Sequence, residues 1–181
     1  MRLIAVDKKD QFLKLVDKNT AHQGKGVLHR AFSVFIFNLK GELLLQRRSQ
    51  NKKLWPLFWS NTCCSHPQKK TNIINQAERR LKEEMGFTTR LKIIDKFYYQ
   101  ASYKNGYSEH ELSYILVGRY NGKVKPNPQE VAAVKWVNMD RLKKDFQLNP
   151  NQYTPWFKKM VKNNKLSARL FKEKVVAINK L

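Results

Sequence analysis

Both cysteines of the chain and one of its four histidines fall within Trp59-Ser60-Asn61-Thr62-Cys63-Cys64-Ser65-His66-Pro67. A thiol two positions from an imidazole can serve a metal site or an activated nucleophile, and it also arises by coincidence in a loop. More groups that can ligate a metal lie elsewhere. His22 and His29 bracket the segment that leads into a long apolar run. Glu109 and Glu111 stand at i and i+2, where an extended backbone puts both carboxylates on one face. Three imidazoles, His22, His29 and His66, with two carboxylates suit a divalent ion such as zinc, manganese or magnesium. His110 points away from both glutamates under the same alternation and reads as an ordinary hydrogen-bonding side chain.

Lys18, Arg48, Lys52 and Arg80 lie in or beside the same segments and could gather round an anion, although each alone is an ordinary solvated charge. Glu84 is either the helical i,i+4 partner of Arg80 or the ligand of a second cation, such as magnesium, beside a diphosphate.

The elements that must position these groups follow from pattern. Arg2–Val6 and Phe12–Val16 read as a hairpin about a polar turn, and Asp17 to Gly26 as a loop. Leu28 to Phe37 is a buried strand, Asn38 to Gly41 a turn, and Glu42 to Arg48 the returning strand. Ser49 to Phe58 is an irregular basic connection. Thr71 or Asn72 caps a helix that runs to Met85 and stops at Gly86, with Ile74, Ala77 and Leu81 on one face. Strands are expected at 89–94, 96–102, 111–119 and 133–137, then a short helix from Asn138 or Asp140. From Pro150 on, the chain reads as a basic amphipathic helical region. This order gives an α/β (α+β) class, an α/β/α sandwich with a mixed sheet, in one domain over residues 1–181.

The 181 residues suffice to bury a core without staples. Adjacent cysteines sit too close for an unstrained disulfide, so both are expected as free thiols. No apolar run can span a bilayer and the first residues do not form a signal peptide, so the expected location is cytoplasmic. The net charge of +22 attracts polyanions, but the lysines are spread along the chain and no zinc-finger, RNA-recognition or basic-heptad signature accompanies them. A sequence-specific nucleic-acid partner is therefore not expected.

Taken together, Leu28-His29-Arg30-Ala31-Phe32-Ser33, Trp55-Pro56, Trp59 to Gln68, Arg79 to Gly86, Ser108-Glu109-His110-Glu111 and Thr154-Pro155-Trp156-Phe157 resemble the type I isopentenyl diphosphate isomerases, in order and at near-family spacing. That resemblance implies a Nudix-like fold and conversion of isopentenyl diphosphate to dimethylallyl diphosphate. It makes His22, His29, His66, Glu109 and Glu111 metal ligands and Cys64, rather than Cys63, the catalytic thiol. It makes Glu111 also the catalytic carboxylate, with Tyr99 assisting proton delivery, Tyr98 being its alternative. Trp156 becomes the aromatic facing the reacting carbons. Lys18, Arg48, Lys52 and Arg80 become diphosphate contacts, with Glu84 on a substrate-bound magnesium. No flavin, no membrane span, and a monomer or weak dimer are implied. Nearby positive charge is expected to lower the Cys64 pKa.

Two other readings compete. Set on Arg79, the metal-binding box of the Nudix pyrophosphohydrolases meets Ser65 where it wants glycine, and Thr71 and Arg80 where it wants glutamate. Only Glu83, Glu84 and Gly86-Phe87 survive, which weakens a water-activating metal cluster. The third reading, a basic nucleic-acid-binding protein, rests on charge alone. Ser65 and Lys69-Lys70 depart from the commoner isomerase pattern.

Overall fold

The computed structural model describes residues 1–68 and 71–178; the Lys69-Lys70 departure and the last residues of the basic C-terminal region lie outside them. Among the described residues nine strands form one mixed sheet. Strands β1 (Arg2–Val6) and β2 (Phe12–Asp17) make the expected hairpin, and a four-residue helix α1 (Lys18–Ala21) interrupts the expected loop, capped by the Asp17 carboxylate accepting from the Asn19 amide.

The spine is β3 (His29–Phe37). It runs parallel to β8 (Ser108–Arg119) from His29 opposite Glu111 to Phe37 opposite Arg119. It also pairs antiparallel with β6 (Cys63–Ser65), touches β1 at its start, and meets β4 (Leu43–Arg48) at its end. Strand β4 then turns away to pair with β5 (Trp59–Ser60) and β9 (Val131–Val137), while β7 (Lys92–Ser102) closes onto β8.

Covered on both faces, β3 reads as a nearly continuous apolar run, as buried parallel strands do. Its alternation divides the core in two. Phe32, Val34 and Ile36 pack with Ala77, Leu81 and Met85 of helix α2 (Ile73–Met85). Phe35 and Phe37 pack on the other face, with Phe146 of α3 (Met139–Leu148), Trp156, Phe157 and Met160 of α4 (Pro155–Lys162), and Leu166 and Leu170 of α5 (Asn164–Ile178). Truncating a fully buried ring here, such as Phe35→Ala, costs about 3–5 kcal/mol. Helix α2 begins where Asn72, not Thr71, accepts from the amides of Ile74 and Asn75, and ends at Gly86 in the left-handed region (φ 77°).

One strand expectation changes. Residues 89–102 do not form two strands; β7 is one strand whose register shifts at a bulge between Ile93 and Asp95. The cysteine stretch, to which pattern assigns no element, carries β5 and β6, too short for a readable alternation.

Candidate active site

Register assembles the site. Residues directly opposite one another in a sheet share a face, and His29, Glu111 and Tyr99 stand opposite one another across β3, β8 and β7. Two residues before Glu111 on the same face is Glu109, opposite Ala101. On the other edge of β3, Ser33 stands opposite Cys64, which brings the thiol to this face as well. Val34 stands opposite Cys63, so that thiol enters the apolar core beneath α2, fully buried. The adjacent cysteines thus serve opposite faces of the sheet.

The ligand atoms of His22, His29, His66, Glu109 and Glu111 lie within 4.8 Å of one another. His22 Nε2 is 3.0 Å from Glu109, and His66 Nε2 and His29 Nε2 are 3.1 and 3.7 Å from Glu111 Oε1. The outward Nδ1 atoms of His22 and His29 donate to the carbonyls of Lys18 and Val27, both at 2.7 Å, so their Nε2 lone pairs face inward. Gly26, at φ 71°, lets the His22–His29 loop press against β8; a Cβ there would lie 2.7 Å from Ser108 Oγ.

This group fits a divalent cation. His29 Nε2 and one Glu109 oxygen are buried with no hydrogen-bond partner, atoms that a metal would satisfy. Ligand atoms at about 2.0–2.2 Å from one ion lie at most about 4.4 Å apart, so the observed cluster closes on an ion with a small contraction. Protonation suits it as well. Burial pushes the His66 imidazolium down to about 4, so that ring is neutral. Burial opposes ionisation of Glu111 too, but the His29 and His66 rings beside it prevail and hold it ionised. Burial and the neighbouring Glu111 raise Glu109, which leaves two carboxylates crowded without a cation between them.

Beside this group lies a cavity of about 410 Å³ whose wall includes Cys64, Tyr99, Glu111 and Trp156. Tyr99 donates to Glu111 Oε2 at 2.6 Å and is kept a phenol by burial and by that carboxylate. The alternation that puts Tyr99 inside puts Tyr98 outside, 44% exposed, with its hydroxyl 3.0 Å from His110. His110 also meets the Gly26 carbonyl and stays outside the ligand group, as expected. Cys64 Sγ donates to Asn61 Oδ1 at 3.2 Å and lies 3.0 Å from Asn61 Nδ2 and 3.4 Å from Ser33 Oγ. Its expected low pKa is not found. Burial pushes the thiol up to about 12 against the hydrogen bonds of Ser33 and Asn61, and the charges of Glu111 and Glu84 add to the rise. The Trp156 indole donates to Ser60 at 3.0 Å, which holds its ring against the cavity.

The cations gather at the other end of the same cavity, where Lys18, Arg48, Lys52 and Arg80 all line it. Arg48 is engaged in part, through Nε and Nη2. It donates to the carbonyls of Leu54 and Trp55, and its guanidinium lies 5.3 Å from the Trp156 ring centroid, so it fixes the irregular Trp55 loop and backs the tryptophan. Glu84 is 1% exposed, does not line the cavity and stands outside the five-ligand group; its oxygens lie 2.9 Å from Arg80 Nε and 3.3 Å from Gln46. Sequence reasoning missed Ser33 and Asn61, the hydrogen-bond partners of the thiol, and Glu130, which joins the cations. Asn61 lay in plain view three residues before Cys64. Nothing in the sequence around Glu130 distinguishes it.

Comparison with known proteins bears on all of this. The NUDIX domain family matches residues 27–157. An isopentenyl-diphosphate Delta-isomerase of Burkholderia multivorans is 42% identical over 160 residues, 88% of this chain and 90% of that one. Another from Halorhodospira halophila is 42% identical over 161 residues, covering 88% and 92%. A solved structure from Deinococcus radiodurans superposes with a TM-score of 0.69 over 95% of this chain and 98% of that one, at 16% identity, a likeness of fold alone.

Proposed function

The chain belongs to the NUDIX family and, within it, to the isopentenyl-diphosphate Delta-isomerases, and from that premise we propose how its cavity turns isopentenyl diphosphate into dimethylallyl diphosphate. The observation that carries the reading is the meeting, in one cavity, of a thiol, a tyrosine–carboxylate pair and a cluster of cations. The 1,3-shift needs one proton added to an unactivated alkene carbon and another removed from the allylic carbon, with the hydrocarbon held still between donor and acceptor. Tyr99 with Glu111 enters from β7 and β8, and Cys64 enters from β6 across the spine strand, so the two proton carriers flank the space where the tail would sit.

Glu111 and Tyr99 supply the donor side and Cys64 the acceptor side. For the thiol to accept, its own proton must first leave, and the proton count closes if that proton passes to Glu111: the glutamic acid donates to the alkene, and the thiolate takes the allylic proton. A divalent cation held by His22, His29, His66, Glu109 and Glu111 would fix the Glu111 carboxylate and lower the proton affinity of the groups around it. Manganese, magnesium and zinc all suit this mixed nitrogen and oxygen set. Trp156 offers a π-face to positive charge developing on the tertiary carbon without being a nucleophile that would trap it. Lys18, Arg48, Lys52 and Arg80 hold the diphosphate, and binding energy gained there keeps the small tail in register. Glu84, whose oxygens lie beside Arg80 and Gln46, would be the ligand of a magnesium carried by that diphosphate. The whole chain, residues 1–181, acts as one isomerase domain, with hairpin and C-terminal helices as its flanks.

The test is incubation with isopentenyl diphosphate and magnesium in deuterated water, followed by NMR. Deuterium-bearing dimethylallyl diphosphate without phosphate release is expected. Release of inorganic phosphate or isopentenyl monophosphate would move the assignment to hydrolysis.

A further inference from the structure

Three carboxylates line the cavity: Glu109, Glu111 and Glu130. The first two belong to the five-ligand group, whereas Glu130 sits among the cations. Its two oxygens are divided between them, Oε1 accepting from Arg80 Nη2 at 2.6 Å and Oε2 from Lys52 Nζ. The other hydrogen-bonding edges of Arg80 face acids as well, Nη1 lying 3.0 Å from Glu83 and Nε 2.9 Å from Glu84. Lys18, further round the same wall, is repelled by Lys52 and Arg80. Two of the four cations that line the cavity are therefore already engaged by an acid of the protein itself.

The backbone keeps that acid in place. Glu130 stands just before β9, where its amide donates to the Asn127 carbonyl and its carbonyl accepts from Ser49, while Asn127 donates to Glu84 at the end of α2. The side chain is a quarter exposed, so it can leave its partners for water without leaving the cavity mouth.

Resting on the diphosphate reading above, we propose that Glu130 is a place-holding anion that occupies Lys52 and Arg80 until a diphosphate displaces it, and so sets the affinity an anion must exceed to enter. Every anion that takes those two cations must overcome the same competition. A diphosphate, with a second phosphoryl group to reach Lys18 or a magnesium, recovers the loss; inorganic phosphate does not. The carboxylate also keeps the empty site from being a cluster of unneutralised cations open to any polyanion. A residue that merely aimed Lys52 and Arg80 at the substrate would have the opposite signature, since its loss would weaken binding.

The experiment is calorimetric titration of wild-type protein, E130Q and E130D with inorganic pyrophosphate plus magnesium and with inorganic phosphate, alongside KM for isopentenyl diphosphate. Thermal unfolding and circular dichroism confirm that each variant is folded. E130Q is expected to bind both anions roughly three- to tenfold more tightly, the range of a partly exposed ion-pair partner removed, with the change falling on KM more than on kcat. E130D, whose shorter arm cannot span both cations, is expected between the two. Equal or weaker binding by folded E130Q overturns the proposal while leaving the isomerase reading intact. If wild-type protein binds no pyrophosphate, the diphosphate reading fails and the place-holder with it. E130D serves as the folded carboxylate variant should E130Q not fold, and binding by it no tighter than wild type then counts against the proposal.

Discussion

Two clusters of charge lie on opposite faces of the same strands, and one is complete while the other is not. On the outer face of β3, next to His29, Arg30 reaches Asp10, donating to its carboxylate through Nε and to its carbonyl through Nη2, both at 2.7 Å. Lys96 and Tyr114, opposite one another on β7 and β8, fill the remaining carboxylate oxygen. Asp10 thus closes the first hairpin, in the left-handed region at φ 67°, with every oxygen partnered. One residue along, on the inner face, His29 Nε2 and a Glu109 oxygen are buried without a hydrogen bond, facing only the other members of the five-residue group. The first cluster is a rivet whose interactions are all internal to the chain. The second is a socket, and its unmet valences specify what is to be put in it. A buried polar group without a partner is costly to keep, and keeping several together is the mark of a ligand site.

The sharpest way to test this division is at the two adjacent thiols. Cys64→Ala is expected to lower isomerase turnover by about 10²–10⁴, the range of a lost general acid or base, with little change in stability. Cys63→Ala is expected to do the reverse: turnover close to wild type and a loss of about 1–2 kcal/mol in denaturant unfolding, because it leaves a small void beneath α2. Near-full turnover by C64A would remove the thiol from the mechanism.

Metal removal separates socket from rivet directly. Elemental analysis of the purified protein should find a divalent metal near one equivalent. Chelation should lower activity at least about tenfold and lower the unfolding temperature, both restored by added metal, since a ligand bound only by the folded state stabilises by mass action. His29→Ala should abolish that restoration. If the protein unfolds identically with and without metal, the five-ligand group holds none.

The smallest effect belongs to the rivet. Asp10→Asn should cost about 1–2 kcal/mol of stability, less than the 3–5 typical of a fully buried pair because Lys96 and Arg30 reach water, and should leave turnover unchanged. Its pH dependence has a definite sign. Hydrogen bonds from Lys96, Tyr114 and Arg30 outweigh burial and depress the Asp10 pKa below the usual carboxylate value. Its contribution is therefore present above the unfolded value near 3.9 and is lost as pH falls through the lower folded value. D10N should show a flatter acid limb in that window.

The same comparison explains what could be read in advance. The order of elements, the cap at Asn72 or its neighbour and the stop at Gly86 were legible because each rests on local chemistry. The five candidate ligands were legible as residue types, the resemblance of whole segments gave them and Cys64 their roles, and the shared face of Glu109 and Glu111 followed from β periodicity. The rivet was not foreseen, since Asp10 and Tyr114 meet across 104 residues and nothing local marks either. Nor was the protonation of Cys64. Positive charge is plentiful in the composition, but it collects at the end of the cavity lined by Lys18, Arg48, Lys52 and Arg80, and burial decides the state of the thiol. Resemblance favours Tyr99 with Tyr98 as its alternative, and register separates the two at once.

The pairing of β6 with β3 spans only three residues, yet the identity of the thiol in the cavity depends on it. A slip of one residue would exchange the two cysteines between cavity and core, leaving composition, charge and volume almost untouched. What prevents the slip is a set of clamps on the residues just before the pair. Asn61 donates to the Val34 carbonyl, and Thr62 accepts from the Ile36 amide while donating to the Leu44 carbonyl. These side chains act as a reading frame for the strand, and an insertion or deletion between Thr62 and Ser65 would be a frameshift in space, silencing the enzyme while keeping every residue it uses.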